Sequence, residues 1–406
     1  MTAPTAARSS RVPTLAFVWS LICAALGLWW LLDPAAYLLD DPFGRRTSLM
    51  MVIPTDVGGP LFLVLGLAAA AVCLLLQRRH RVSSPHRVDS FRAGAGGRSA
   101  GGTALVVAGA TLALFFGVAV PDVQVLAVLG YAVVLLGGPI LVGLLILGTR
   151  RHPGNLLVLL VVAIAISVGI AAGQIGEPTL HLLASVRDGF GRVGRRPLVL
   201  GFMLVGGLLL GATTVLAVRL RATHRIADRE TGADLPGGQR LQRWGCRATI
   251  VAALCPLPYG LLRMTWLTPW PQGLGPGTEV ALDGGVRIFG VGLGLAALGA
   301  AWLTLGLISP WGETWPAWLP GLRGRPVPVL AAVVPAAVVA MALCASSVSL
   351  MVLSAADGGP WLAAVLPAPL WGPALALATY AYHRRRTDGA SSSEEGERAM
   401  PPLQSG

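Results

Sequence analysis

The 406-residue sequence predicts an all-α, polytopic transmembrane bundle of about ten spans. Three observations lead there. The chain is 54% hydrophobic and 12% charged, about half the charge of an ordinary soluble domain. Its apolar residues gather in continuous runs of about 20, the length a helix needs to cross the hydrocarbon layer. None of the 19 acidic residues lies inside a run. A membrane barrel would show short alternating strands instead. These runs are unbroken and rich in Leu, Ala, Val and Gly.

In order, the runs place spans at 13–32, 58–77, 102–120, 125–149, 155–174, 197–218, 248–268, 286–308, 327–353 and 367–382. The first follows Arg8 and Arg11, exceeds a signal-peptide core in length and lacks a small-residue cleavage site, so it reads as an uncleaved span. An even count puts both termini on one side. With the N-terminus inside, the inner segments hold 23 Arg and the outer segments seven, while Arg263 alone lies within a span. That asymmetry predicts a multi-pass cell-membrane protein with cytoplasmic termini and cytoplasmic loops at 78–101 and 219–247. The outer segment 175–196 carries four Arg and is the exception. Residues 1–386 form the membrane domain, and the polar tail 387–406, with its Ser391-Ser392-Ser393-Glu394-Glu395 tract, is expected to be disordered.

The formal charge of +12 does not point to nucleic acid, because the basic residues collect in loops flanking the spans. All are Arg, which fits the coding bias of a GC-rich genome. Without Lys, a Walker A loop and a catalytic Schiff base are excluded. Cysteines 23, 73, 246, 255 and 344 have neither metal-site nor disulfide spacing. No metal and no cofactor is called for.

Two glycine motifs have simple explanations. Gly97-Arg98-Ser99-Ala100-Gly101 matches a nucleophile elbow, but that chemistry needs a strand-to-helix turn and acid–base partners. Gly290-Val291-Gly292-Leu293-Gly294 lies inside a span, where Gly290/Gly294, like Gly207/Gly211, is spaced for close helix packing. Two hairpins echo one another: Asp56-Val57-Gly58-Gly59 opens span two and Asp283-Gly284-Gly285 opens span eight, and at an offset of 226 residues Gly66 and Leu67 match Gly292 and Leu293. A weak parallel repeat of the transporter kind and a chance alignment of apolar sequence both account for this.

All six His lie outside the spans, as do all the acids. That argues against intramembrane proteolysis and disfavours coupling through a buried carboxylate. Arg263 stands out as the single charge within a span, following Pro256 and Pro258, which should kink the helix. It either snorkels to the outer headgroups or faces a cavity where it binds an anionic substrate or headgroup. On the outer side, Asp40, Asp41, Glu177 and His181 are candidate acid–base groups, provided folding brings them together.

Trp29 and Trp30, Trp266 and Trp270, and Trp311, Trp315 and Trp318 flank spans and are expected to anchor them at headgroup level. The stretch from Pro310-Trp311-Gly312-Glu313-Thr314-Trp315-Pro316 to Leu319-Pro320, followed by Gly324-Arg325-Pro326-Val327-Pro328, is the most distinctive in the chain. It resembles a cytoplasmic loop of polytopic membrane proteins from high-GC Gram-positive bacteria that lack an assigned function. The resemblance covers spans seven to nine, implies a multi-spanning fold and supplies no catalytic residues.

Three function classes fit the sequence. One is a carrier or permease for a small or lipidic molecule, with Arg263 as its substrate contact. A second is an accessory protein whose partners are the bilayer and a membrane or cytoplasmic protein. The third is an enzyme working at the outer headgroup layer. The span count, the possible repeat and the kinked span fit the carrier, whereas the lack of intramembrane acids weighs against it.

Overall fold

A computed structural model describes residues 11–39, 48–82, 95–149, 154–171, 176–227, 236–273, 284–315, 324–357 and 364–399. Its helices are α1 Arg11–Leu32, α2 Thr55–Val82, α3 Ala95–Leu114, α4 Val123–Ala132, α5 Gly138–Gly148, α6 Gly154–Ala171, α7 Glu177–Val193, α8 Arg196–Ala227, α9 Pro236–Leu254, α10 Leu257–Met264, α11 Gly284–Leu305, α12 Val329–Asp357 and α13 Ala368–Ala399. π-Helical turns at Phe115–Ala119 and Val133–Gly137 extend α3 and join α4 to α5. The β pairing among the described residues is a lone bridge, Thr314 to Pro326.

Eight helical segments are long and apolar enough to cross a membrane: Arg11–Leu32, Thr55–Arg78, Gly101–Ala119, Val123–Gly148, Arg196–Leu220, Arg240–Leu267, Gly284–Leu305 and Val329–Ala355. The protein is a multi-pass, all-α integral membrane protein. The other two expected spans are also helical. In α6 the apolar stretch is the shorter Gly154–Ile164. In α13 an apolar start soon meets His383 and Arg384 to Arg386.

Two compact units divide the chain, Met1–Val125 with Val193–Ala233, and Leu126–Arg192 with Asp234–Gly406. In the first, α1 and α2 pair so closely that a side chain at Gly27 would collide with the backbone at Phe62 and Leu63. A Cβ at Gly59 would stand 2.6 Å from the Leu31 nitrogen, and one at Gly66 2.6 Å from that of Ala24. Here glycine supplies the close approach that substitutes for a hydrophobic drive in lipid. An aromatic chain fills the remaining space: Tyr37 on Trp30, Trp30 on Phe62, Phe62 on Phe116, Phe116 on Trp19 and Trp19 on Phe202, with centroids 5.0 to 6.1 Å apart. Such edge and tilted contacts suit ring quadrupoles. Trp19 also donates its Nε1–H to the Phe202 carbonyl at 2.9 Å. On α8, Gly207 meets Gly117 of the π-turn.

In the second unit the same device recurs. Gly245 of α9 faces Ala381 of α13, Gly372 of α13 faces Cys344 of α12, and Gly292 of α11 faces Val134. Tyr131 and Phe289 meet edge to face at 5.0 Å. The α9–α10 helix is interrupted at Cys255 and Pro256, where Pro256 and Pro258 remove two N–H donors from the ladder. The distinctive loop is held by Trp315 N–H to Arg325 O at 2.9 Å and Val327 N–H to Glu313 O at 2.8 Å. Arg385 and Arg386 of α13 then clamp both Glu313 oxygens, at 2.9 and 3.1 Å.

Three segments outside the expected spans are helical. Residues 177–193 of the outer loop form helix α7, whose Leu182 and Val186 share an apolar face while Glu177, His181 and Asp188 share the opposite one. The tail expected to be disordered remains helical to Ala399, because a helix already nucleated in α13 extends at one hydrogen bond per added residue. Gly97 to Gly101 lies in the first turns of α3, a helix and not a strand-to-helix turn.

Candidate functional site: an aromatic cradle for Arg263

The broken helix sets up the site. After the interruption at Cys255 and Pro256, α10 restarts with Leu257 and Pro258, proline being well tolerated in a first helical turn. Tyr259, Arg263 and Trp266 follow at spacings of four and three, so they share one face across successive turns. Gly260, on the neighbouring stripe, brings α10 to within 3.2 Å of the Gly294 carbonyl, measured from the position of an added Cβ.

The Arg263 guanidinium carbon lies 4.0 Å from the Trp266 ring centroid and 5.1 Å from that of Tyr259. Trp266 is itself buried and is fixed from below, its Nε1–H donating to the Gln272 carbonyl at 2.9 Å. Gln272 N–H in turn donates to Thr265 Oγ1 at 2.9 Å, closing the turn after α10. On the far side stands the glycine face of α11. A Cβ at Gly290 would lie 3.3 Å from Arg263 Nη1 and would overlap the Trp266 ring. A Cβ at Gly294 would lie 2.6 Å from Arg263 Cβ. The arginine therefore packs inward against α11 and remains half-buried.

Its electrostatics are unusual for a cation at this depth. No carboxylate among the described residues pairs with it, and Nε is buried without an acceptor. The ring faces offer partial compensation, about 0.5 to 2 kcal/mol by typical cation–π values. What they cannot supply is an acceptor for five N–H donors. Chemically, the cradle presents a fixed, oriented fork suited to a carboxylate or phosphate.

A second arginine went unnoticed at the sequence level. Arg196, the first residue of α8, places Nη2 2.7 Å from Asp122 Oδ2, and both side chains are at least 97% buried. Asp122 uses its other oxygen to accept the Gln124 N–H at 2.9 Å, which caps the start of α4. Nε and Nη1 of Arg196 have no acceptor among the described residues.

Of the outer acid–base candidates, Asp40 and Asp41 lie outside the described residues. Glu177 and His181 are exposed, one turn apart on α7. Asp188 on the same face is engaged by Arg187 at 3.1 Å. Among the described residues no group of three or more His, Cys, Asp or Glu is placed to hold a metal ion.

The tryptophans divide. Trp29 and Trp270 are exposed, as anchors would be, whereas Trp30 and Trp266 are buried in the aromatic chain and the Arg263 cradle. Trp311 stacks on Trp302 at 4.4 Å. Comparison of the chain with protein-family models, with curated proteins and with solved structures finds no match.

Proposed function

We propose that the protein is a carrier or permease-like membrane protein for a small or lipidic anion, with Arg263 as the substrate-contacting cation. One observation carries this reading: a half-buried guanidinium fixed between two aromatic rings, with no carboxylate among the described residues to neutralise it. A cation kept at membrane depth without a counter-ion is costly, and such residues mark substrate pathways. Two further features support movement. The helix carrying Arg263 is broken at Pro256, and the surface it packs on is glycine. Broken helices and smooth glycine faces are what permit one element to slide or rock past another.

The test uses the full chain in proteoliposomes. Uptake of benzoate and of inorganic phosphate, and transbilayer movement of fluorescent phosphatidylglycerol, are compared with protein-free vesicles. At least one probe should move faster with the wild-type protein, and Arg263→Gln should slow it about tenfold, the loss expected for a charge-assisted hydrogen bond. Wild-type protein that moves none of the three, or an Arg263→Gln protein as fast as wild type, would reject the reading.

A second reading has its own support. The clamp of Arg385 and Arg386 ties Glu313, at the start of the loop, to α13, which suits a docking platform for a protein partner. Pull-down from membranes with Glu313→Gln as the control distinguishes it, since a loss confined to that variant favours the platform.

A further inference from the structure

We infer that α9 and α13 form a second anion site, independent of Arg263, which holds the phosphate of an acidic phospholipid at the end that the arginine distribution assigns to the cytoplasm. The first turns of α9 carry Arg240, Arg243 and Arg247, spaced three and four residues apart on one exposed face. None of the three has an ion-pair partner among the described residues, whereas Arg385 and Arg386 nearby are spent on Glu313. An open cavity of about 500 Å³ lies beside them, lined by Gln242, Arg243, Cys246 and Arg247.

A neighbouring crevice with about 10 Å³ of free space shares Gln242 and Cys246 with the cavity and is also lined by Thr249, Tyr382 and Arg385. Tyr382 is 2% exposed and its hydroxyl has no hydrogen-bond partner. A buried hydroxyl left unmatched is costly, so an acceptor or a water in the crevice is expected. The Thr249 hydroxyl is already spent on the Gly245 carbonyl at 2.8 Å. The lining thus offers two guanidinium forks, an amide and a phenol, and no carboxylate among the described residues. Arginine forks match phosphate oxygens in pairs.

The same stripe of α9 identifies the source as lipid. Arg243, Arg247, Ile250 and Leu254 follow at spacings of four, three and four, so a basic end runs directly into exposed aliphatic surface. Ile250 and Leu254 are 48% and 56% exposed. Trp244, 54% exposed beside this stripe, carries the Arg247 guanidinium 5.5 Å above its ring, as an aromatic at headgroup level would. A headgroup phosphate at the arginines and an acyl chain along Ile250 and Leu254 fit one molecule. Basic pockets between helices on the cytoplasmic side bind acidic headgroups in this way.

Native mass spectrometry of the purified full-length protein, given equal phosphatidylglycerol and phosphatidylcholine, tests the site. The wild type should retain phosphatidylglycerol preferentially. Arg243→Gln/Arg247→Gln should retain about tenfold less, in line with loss of charge-assisted hydrogen bonds. Arg243→Lys/Arg247→Lys, which keeps the charge, should fall between the two. Arg187→Gln/Arg192→Gln on α7 should match the wild type. Displacement of the lipid by millimolar inorganic phosphate would reassign the arginines to a soluble phosphate anion and overturn the lipid source. Equal retention of both lipids by the wild type, or an equal loss in the α7 variant, would overturn the site itself.

Discussion

Arg196 and Arg263 are the same residue type in two different situations, one in each unit. Arg196 is buried and bound to Asp122 at 2.7 Å, with the carboxylate also capping α4. Arg263 is half-buried and rests on Trp266 and Tyr259, with no carboxylate in reach among the described residues. A paired charge is neutralised locally, even though Nε and Nη1 of Arg196 lack acceptors among the described residues. Its removal strands a partner in low dielectric, so the pair behaves as a fastener. A charge held by ring faces keeps its hydrogen-bonding capacity, since aromatic quadrupoles accept the cation but leave its N–H donors unfilled. The contrast predicts that stability depends on Arg196, and anion recognition on Arg263.

The largest expected effect comes from breaking the fastener. Arg196→Gln or Asp122→Ala should destabilise the first unit by about 3 to 5 kcal/mol, the usual cost of an orphaned buried charge, read as a lowered thermal midpoint in detergent. Next is the glycine face behind the cradle. Gly290→Val must displace the Trp266 ring, at about 1 to 3 kcal/mol for overpacking, and it should impair anion recognition as well. Glu313→Gln loses two ion pairs that are partly exposed to solvent, so about 1 kcal/mol or less is expected after screening. The smallest effect belongs to Arg263→Gln, which leaves no carboxylate among the described residues unpaired. The cation–π contacts that are lost, about 0.5 to 2 kcal/mol, are offset by removal of a buried Nε–H that has no acceptor, so a net change of about 0.5 kcal/mol is expected.

The fold was readable where physics leaves a periodic or compositional mark. Apolar runs, the Pro256–Pro258 break and the Gly290/Gly294 spacing all follow from local chemistry. Arg263 stood out because a charge inside an apolar run is rare. Asp122 and Arg196 did not, because they are 74 positions apart, in short polar segments where charges are ordinarily hydrated. Helix α7 was legible in principle: Leu182 and Val186 opposite Glu177, His181 and Asp188 give a helical period within a segment too polar to span. The division of tryptophans into anchors and core was not, since indole suits either place and only neighbours such as Phe62 or Arg263 decide.

One measurement tests the contrast most directly. Thermal midpoints of wild type, Arg196→Gln and Arg263→Gln are recorded in one detergent, with and without decyl phosphate. The account predicts that Arg196→Gln melts well below the other two yet is still stabilised by the anion. It predicts that Arg263→Gln melts close to wild type and has lost that stabilisation, because an anion bound to the folded state raises stability by mass action. An Arg263→Gln protein that melts as low as Arg196→Gln, or one that decyl phosphate stabilises as much as wild type, would contradict it.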